Sequence, residues 1–188
     1  MRKPREAVHR DGEWHRVFHL WVVRSDGRVL LQRRSRFKAV APGKVDVTVG
    51  GHLRAGETAF DAVREVEEEI GLRVEPVRLA LLGNWRTELV AEGLVDREHA
   101  EVFALVDDGP LEEFRLDCQE VYLLYEAPLE GLIALYRDGR PLPVPGFDCQ
   151  RRRNDALLIG DDLIGGAREV TVQQLEALRA WMEESAAG

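Results

Sequence analysis

The sequence centres on the stretch Gly50-Gly51-His52-Leu53-Arg54-Ala55-Gly56-Glu57-Thr58-Ala59-Phe60-Asp61-Ala62-Val63-Arg64-Glu65-Val66-Glu67-Glu68-Glu69-Ile70-Gly71-Leu72. It predicts a glycine-rich loop that leads into a short acidic helix over residues 59–70. Thr58, with Asp61 three residues later, is typical of a helix N-terminus. Gly71 is typical of the left-handed residue that follows the end of a helix. Both ends of the helix are therefore readable from the sequence.

The apolar and acidic side chains of this helix separate onto two adjoining faces at 3.6 residues per turn. Three carboxylates on one face, those of Glu65, Glu68 and Glu69, repel one another and need a positive charge nearby. A hard divalent cation is the simplest candidate, because Mg²⁺ and Mn²⁺ prefer oxygen ligands and are commonly shared with substrate phosphates. A solvated acidic face is the alternative. Gly50 and Gly51 favour the metal, since glycine lets backbone approach a ligand closely. The apolar face, expected to meet the core, consists of Ala59, Ala62, Val63, Val66 and Ile70.

The same stretch resembles the Nudix box, Gly-x5-Glu-x7-Arg-Glu-apolar-x-Glu-Glu-x-Gly-apolar. The second half matches at every position from Arg64 to Leu72, and Gly51 and Glu57 have the spacing of the first half. Six residues separate Glu57 from Arg64, one fewer than in the family pattern. The missing residue belongs either to the first turn of the helix or to the loop ahead of it. Its absence bears on how Glu57 and the Gly50 carbonyl meet the acidic face.

Four further segments resemble one branch of that family, the Nudix hydrolases similar to isopentenyl diphosphate isomerase. They are Val-Phe-His-Leu-Trp-Val-Val, Leu-Leu-Gln-Arg-Arg-Ser, Pro-Gly-Lys-Val-Asp-Val and Gly-Gly-His. The resemblance covers residues 15–137 and implies an α+β protein, a Nudix-type α/β/α sandwich with a mixed β-sheet. We expect residues 1–137 to form this domain with an N-terminal arm. Residues 138–188 are expected to form a turn-rich segment and a C-terminal helix, packed on the domain or on a dimer partner.

The chain also carries local signals for its other elements. Asp26-Gly27 between apolar runs predicts a hairpin that joins strands 17–23 and 29–32. His19, inside the first strand, is expected to be a packed strand residue rather than a ligand. Residues 1–16 are expected to be an irregular arm or edge strand. Further strands are predicted at 45–49, 74–83, 99–106 and 120–125, with a loop over 84–98 and helices at 128–136 and from Thr171.

Members of the Nudix family hydrolyse a nucleoside diphosphate linked to another group. The resemblance implies that Mg²⁺ or Mn²⁺ is held by Glu65, Glu68, Glu69 and the carbonyl of Gly50. Arg64 is expected to act structurally, by pairing with Glu57 or another carboxylate. The general base is left open among Glu120, its competitor Glu101, and Glu68 or Glu69 themselves, because a base must lie within reach of the attacked water.

Five basic residues occur between Arg33 and Lys44, just upstream of the acidic helix. Arginine binds phosphate through paired hydrogen bonds and lysine through a point charge, so these side chains suit a diphosphate. A solvated loop that offsets the acidic surface is the alternative. The substrate-binding candidates are Arg33, Arg34 and Lys44. Trp85 or Phe37 could stack on a base, and the run 151–153 could reach the far end of a substrate, although packing and a surface loop explain them as well.

The 188 residues carry a formal charge of −8, which argues against general binding to nucleic acid polymers. Cys118 and Cys149 lie far apart in sequence and outside any Cys-x-x-Cys pattern, so the sequence suggests neither a disulfide framework nor a zinc site. With no apolar run long enough to span a membrane, a cytoplasmic enzyme acting on a small diphosphate compound is expected, and its oligomeric state is left open between a monomer and a homodimer.

Two other functions remain at this stage. A catalytically inactive Nudix module could bind a nucleotide or diphosphate without turnover. An isopentenyl diphosphate isomerase is the other, although those enzymes carry a catalytic cysteine where Thr48 and Val49 precede the glycines, and no cysteine lies nearby.

Overall fold

The computed structural model describes residues 5–91, 94–165 and 168–187. Four α-helices occur in this part of the chain: α1 (Arg5–Asp11), α2 (Arg64–Ile70), α3 (Leu129–Asp138) and α4 (Arg168–Ala187). The strands are β1 (Trp14–Val23), β2 (Arg28–Arg34), β3 (Val45–Asp46), β4 (Val49–His52), β5 (Ala80–Ala91), β6 (Leu94–Val106), β7 (Val121–Pro128), β8 (Leu142–Val144), β9 (Gly146–Asp148) and β10 (Ala156–Leu158).

Eight of these strands form one mixed sheet in the order β5-β6-β1-β2-β7-β9, with β3 added to β2 and β4 added to β1. β1 and β6 run parallel from the pair Trp14 and Arg97 to the pair Val23 and Val106. The other pairs in this sheet are antiparallel. The predicted hairpin between β1 and β2 is confirmed, with Val23 opposite Val29.

The core lies in two layers, one on each face of the sheet. β1 supplies both, because side chains alternate along a strand: Phe18, Leu20 and Val22 pack in the layer beneath α2, whereas Trp21 and Val23 pack in the layer beneath α3 and α4. Helices therefore cover both faces, and the expected α/β/α sandwich with a mixed sheet is confirmed.

The acidic helix begins later than the sequence predicts. A 3₁₀ turn over Asp61–Val63 precedes α2, which starts at Arg64. The Asp61 carboxylate accepts hydrogen bonds of 2.7 Å from both the backbone nitrogen and the hydroxyl of Thr58. Gly71 ends the helix with φ of 71°, as predicted. The predicted apolar face is buried at all five positions, namely Ala59, Ala62, Val63, Val66 and Ile70.

Three local predictions were wrong. Residues 84–91 and 94–98 of the expected loop belong to the long strands β5 and β6, whereas residues 92 and 93 lie outside the described residues. The strand expected from 74 starts at Ala80 after a 3₁₀ turn. These strands are rich in charged residues and lack a clear apolar alternation, but cross-strand contacts such as Thr87 Oγ1 to Glu98 Oε2 at 3.0 Å stabilise them. The N-terminal arm, expected to be irregular, contains α1; residues 1–4 of that arm lie outside the described residues.

The segment after α3 holds three short strands and then α4. Leu175 and Leu178 of α4 are fully buried in the core layer that α3 also covers. Two contacts hold the segment against β2 and the loop that follows it: Arg33 Nη2 of β2 lies 2.8 Å from Asp162, and Lys44 Nζ of the loop donates to the Asp161 carbonyl at 2.6 Å. The C-terminal part of the chain is therefore packed against the same sheet.

The cysteine prediction was also wrong. Cys118 and Cys149 form a disulfide across 31 positions of sequence, with their Cα atoms 5.3 Å apart. No local pattern indicated this bond, because the pairing depends on β7 bringing residue 118 beside the end of its neighbour β9. Disulfides persist mainly in oxidising compartments, so the cysteines do not support the expected cytoplasmic location. None of the described helices combines the length and hydrophobicity that crossing a membrane requires.

Candidate active site

The glycine loop and α2 border a cavity of about 530 Å³. Its position is set by β4, which pairs Gly50 and Gly51 with β1 and so holds the loop against the sheet. We call this space the larger cavity. Its lining combines carboxylates with a few cations: Val8, His15, Lys38, Gly50, Gly51, His52, Leu53, Arg54, Ala55, Arg64, Glu65, Glu69 and Glu120.

Glu69 lies at the buried end of this cavity, with 3% of its surface exposed. Burial raises the pKa of its carboxyl group to about 8; nearby Lys38 opposes the rise, while Glu120 and Glu65 add to it. Its Oε2 atom is buried and has no hydrogen-bond partner among the described residues. A carboxylate of this kind is costly in isolation and becomes favourable when a cation enters the cavity.

Glu65 and Arg64 form the second part of the acidic wall. Arg64 Nη2 donates to Glu65 at 2.7 Å, and Arg64 Nη1 lies 3.3 Å from Glu57. Burial raises the pKa of Glu65, with Arg64 opposing the rise. The Arg64 side chain therefore joins the loop carboxylate to the helix carboxylate, the contact that the sequence resemblance implies.

Gly51 approaches α2 so closely that no side chain would fit. A Cβ atom at this position would lie 2.6 Å from Cγ of Glu65. Gly50 lines the larger cavity beside it. Gly51 thus brings the loop backbone against the side chain of Glu65.

The remaining predicted acidic residues differ in whether they line the larger cavity. Glu68 is exposed and is not among the residues that line the larger cavity. Glu120 lines that cavity and accepts a hydrogen bond from Lys38. Glu101 instead pairs with Arg16 and lies outside the cavity lining. Of the two competing strand carboxylates, Glu120 is the one that faces Glu69.

Loop backbone holds Glu120 in this position. The amide of Asp117 donates to the Glu69 carbonyl at 2.9 Å, and the amide of Glu120 donates to the Asp117 carbonyl at 2.9 Å. The hydroxyl of Ser35 donates to the Cys118 carbonyl at 2.9 Å. The disulfide joins the same loop to the end of β9, so covalent and hydrogen bonds both fix the loop that carries Glu120.

The basic residues between β2 and β3 mostly make structural contacts. Arg33 contacts Asp162 and the Tyr125 hydroxyl, Arg34 pairs with Asp46 at 2.9 Å, and Lys44 binds a carbonyl. Neither Arg33 nor Lys44 lines the larger cavity. Lys38, which the sequence did not single out, lies 3.9 Å from Glu69. Binding of substrate by Arg33, Arg34 and Lys44 stays a prediction, and Lys38 joins the candidates.

The chain matches the family model described as the NUDIX domain over residues 13–136. The chain belongs to the Nudix family. It is 34% identical over 134 residues to an uncharacterised Nudix hydrolase of Clostridium acetobutylicum, covering 70% of this chain and 65% of that protein. It is 34% identical over 111 residues to an isopentenyl-diphosphate Delta-isomerase of Clavibacter sepedonicus, covering 58% of each. The match thus spans less than two thirds of these relatives.

The fold is also similar to that of a solved Nudix-type structure. The Ap4A hydrolase of C. elegans, in a binary complex, gives a TM-score of 0.54 with 16% sequence identity, over 90% of this chain and 98% of that one. At this identity the likeness concerns the fold alone. It extends beyond the NUDIX match into the C-terminal segment.

The shortened interval in the Nudix box is accommodated ahead of α2. The 3₁₀ turn over Asp61–Val63 uses fewer residues per turn than an α-helix, and Arg64 still reaches Glu57. Arg54 donates its backbone amide to Glu57 at 2.7 Å, which fixes the loop carboxylate. The acidic face therefore keeps its contact with the glycine loop despite the missing residue.

The Nudix residues fit a divalent cation. Glu65 and Glu69 supply carboxylate oxygens on one helix face, and Oε2 of Glu69 is buried without a hydrogen-bond partner among the described residues. The carbonyl of Gly50 and the carboxylate of Glu120 add oxygen donors in the same cavity. An all-oxygen set of this kind suits Mg²⁺ or Mn²⁺.

A second group of possible metal ligands lies on the other side of the glycine loop. One atom each of His15, Asp96 and Glu98 lies within 4.8 Å of the others. The ring of His52 stacks on that of His15, with centroids 4.8 Å apart. Burial raises the pKa of Glu98. Sequence reasoning missed this group, because Asp96 and Glu98 fell in a predicted loop; their alternate spacing is the signal that could have placed both on one face of a strand.

The aromatic and arginine candidates are accounted for by local contacts. Trp85 packs against the core, and Phe37 is exposed beneath the guanidinium of Arg36. Arg152 pairs with Asp148 at 2.7 Å and Arg153 with Asp155 at 3.0 Å. His19 is a strand residue, as expected, and its Nε2 lies 3.8 Å from Glu98.

Proposed function

We propose that this Nudix protein is a metal-dependent hydrolase that cleaves a diphosphate linkage in a small-molecule substrate, by attack of water on phosphorus. The substrate class is a nucleoside diphosphate derivative or a related diphosphate compound. The observation that carries the proposal is the buried carboxylate of Glu69 among Glu65, Glu120 and Lys38, beside the glycine loop. Such a cavity has acidic groups that can bind a cation and a lysine that can bind a phosphate.

The proposed roles follow from charge and position. Mg²⁺ or Mn²⁺, when bound, would polarise a phosphoryl oxygen and lower the pKa of a coordinated water. Glu65 and Glu69, with Glu68 at the exposed edge and the Gly50 carbonyl, would supply its oxygen ligands.

The other charged groups would serve the substrate and the water. Lys38 would contact the diphosphate, and Glu120 would accept the proton of the attacking water. Arg64 would hold the loop and the helix together through Glu57 and Glu65. Glu101 is the weaker candidate for the base, because its carboxylate lies outside the lining of the larger cavity.

The test is release of phosphate and pyrophosphate from a panel of diphosphates. The panel contains nucleoside di- and triphosphates, sugar nucleotides, dinucleoside polyphosphates and isopentenyl diphosphate, each with Mg²⁺, with Mn²⁺ and with a chelator. Glu69→Gln is compared with Glu67→Gln, a matched control on the same helix whose exposed carboxylate pairs with Arg73 at 2.6 Å. Turnover that needs metal, is lost in Glu69→Gln and persists in Glu67→Gln supports the hydrolase.

Two outcomes would favour other functions. Binding of a panel member without turnover would indicate an inactive binding module. Conversion of isopentenyl diphosphate to its isomer, followed by NMR, would indicate the activity for which the Clavibacter relative is named. The disulfide argues against a thiol-based isomerase, because both cysteines of the chain are consumed in it.

A further inference from the structure

A second, smaller cavity of about 90 Å³ adjoins the site. Four residues line both cavities, namely Lys38, Gly50, Gly51 and His52. The smaller cavity extends from this shared boundary across the sheet face that α3 and α4 cover. Part of its wall comes from the C-terminal segment, through Ile164, Thr171 and Gln174, which lie beyond residue 136, where the NUDIX match ends.

Gln174 is the most informative residue of that wall. It is 2% exposed, and its Oε1 atom has no hydrogen-bond donor among the residues described here. A buried amide oxygen without a partner destabilises the folded state, and such groups in native proteins call for an explanation. A ligand hydroxyl or amino group in the smaller cavity would supply the absent donor.

The charges of the two cavities differ. Beyond the shared boundary the smaller cavity holds three carboxylates, of which Asp46 is paired with Arg34. Asp96 and Glu98 lie 3.6 Å from His15 and 3.8 Å from His19, respectively. Lys38 remains at the boundary, where Glu120 and Glu69 engage it. The smaller cavity has no bound cation proposed for it, so a neutral or cationic group is favoured there over a phosphate.

The volume of the smaller cavity limits the size of the ligand group that it can hold. A cavity needs roughly 10–15 Å³ to hold one water molecule, so 90 Å³ admits a group of several non-hydrogen atoms. A three-carbon chain with hydroxyl or amino substituents is within this range.

We propose that the smaller cavity binds the organic group of the diphosphate substrate, that this group is compact and carries hydroxyl or amino donors, and that Gln174 is a specificity-determining residue that accepts a hydrogen bond from it. This inference rests on the proposed hydrolase function. It assigns the C-terminal helix a part in substrate recognition. The diphosphate would lie in the larger cavity, and the donor group would lie in the smaller cavity, on the other side of Gly50 and Gly51.

The experiment compares four substrates that differ in the organic group: glyceryl, aminopropyl, propyl and adenosine diphosphates. Wild-type protein, Gln174→Leu and Gln173→Leu are assayed with Mg²⁺ for kcat/KM. Gln173 is a matched control, because it is the adjacent residue of α4 and is exposed. Wild type should prefer the glyceryl or aminopropyl compound over propyl by about tenfold, the size of one buried hydrogen bond.

The variants separate recognition from folding. In Gln174→Leu the preference should fall to within about threefold, whereas Gln173→Leu should keep it. Melting temperatures identify any variant that fails to fold, and Gln174→Met then replaces Gln174→Leu. A preference that survives in the folded Gln174 variant, or wild type without preference over propyl diphosphate, overturns the inference. The glyceryl and aminopropyl arms distinguish the hydroxyl from the amino donor.

Failure of the hydrolase function gives a different result. If wild type hydrolyses no panel member, calorimetry measures binding of the glyceryl and propyl compounds without turnover. Tighter binding of the glyceryl compound that depends on Gln174 supports the pocket, and equal affinities overturn it.

Discussion

The ammonium nitrogen of Lys38 lies 3.9 Å from Oε1 of the buried Glu69. The same ammonium donates a hydrogen bond to Glu120. A residue of the β2–β3 loop thus brings positive charge to carboxylates contributed by α2 and by the segment before β7. This contact joins the acidic half of the site to a group that can bind phosphate.

Replacing Lys38 by methionine should raise KM for the diphosphate substrate about 10- to 100-fold. A hydrogen bond to a charged group contributes about 1.5–3 kcal/mol, and 1.4 kcal/mol is a factor of ten. Lys44→Met is the control, because Lys44 binds the Asp161 carbonyl. Steady-state kinetics on both variants test this, and equal changes in KM would show that Lys38 has no special role.

Replacing Glu69 by glutamine should stabilise the metal-free protein at high pH. Burial raises the pKa of Glu69 from 4.5 to about 8, so the folded state disfavours the carboxylate. The resulting loss of folding stability is absent below pH 4.5, grows between pH 4.5 and 8, and is complete above pH 8. One pKa unit corresponds to about 1.4 kcal/mol, and each kcal/mol to about 2–4 °C.

Melting curves in the presence of a chelator measure this effect. Glu69→Gln should melt several degrees above wild type at the upper end of that pH range and at the same temperature at its lower end. Glu67→Gln, at an exposed position, should track wild type throughout. A Glu69→Gln protein that is less stable than wild type at high pH contradicts the assignment of a buried, destabilising carboxylate.

Gly51→Ala should weaken the affinity for Mg²⁺ by about tenfold or more. A methyl group at this position meets Glu65 at 2.6 Å, so either the loop or the Glu65 side chain must move. Gly165→Ala is the control, because a Cβ there meets nothing within 4 Å. Isothermal titration with Mg²⁺ provides the measurement. Unchanged affinity in Gly51→Ala would mean that the close approach of loop and helix is not needed for the cation.

Glu120→Gln should lower kcat far more than Glu101→Gln. A positioned general base contributes about 10²–10⁴-fold, and Glu120 lines the larger cavity whereas Glu101 pairs with Arg16. Rates are measured at saturating Mg²⁺ and substrate, so that loss of the general base is separated from weakened binding of metal or substrate. A larger loss in Glu101→Gln would reverse the assignment.

Reduction of the disulfide should destabilise the protein by about 3 kcal/mol, since a cross-link of 31 positions removes chain entropy from the unfolded state. Thermal melting with and without a reductant tests this on wild type. The double variant Cys118→Ser, Cys149→Ser should melt at the reduced temperature in both conditions. A wild-type protein that melts identically with and without reductant would show that the bridge carries no stability.

Several features of the site could be predicted from the sequence, because they depend on residues that are close together in the chain. The two faces of α2 follow from the period of a helix, and Gly71 ends it because a left-handed residue is favoured there. The Nudix resemblance rests on the spacing of Gly51, Glu57, Arg64 and the glutamates. The α/β/α sandwich was predicted from that resemblance. The contact between Arg64 and Glu57 was expected on the same grounds.

Other features depend on residues far apart in the chain. The strand residues 84–91 and 94–98 were missed because charged side chains hide their alternation, although pairing with β1 stabilises β6. The disulfide exists because β7 and β9 are neighbours, a fact of topology. The sequence analysis singled out Arg33 and Lys44 rather than Lys38, because all three lie in one basic stretch. Only the path of the chain decides which side chain lines the cavity.

The sequence by itself determined the acidic helix, its glycine loop and the family, because these are set by spacing within about two dozen residues. The tertiary structure alone decided that Glu120 and Lys38 meet Glu69, that Asp96 and Glu98 meet His15, and that Gln174 closes the smaller cavity. Some of those contacts join segments more than a hundred residues apart, and strand register and helix packing fix them through burial that no local pattern encodes.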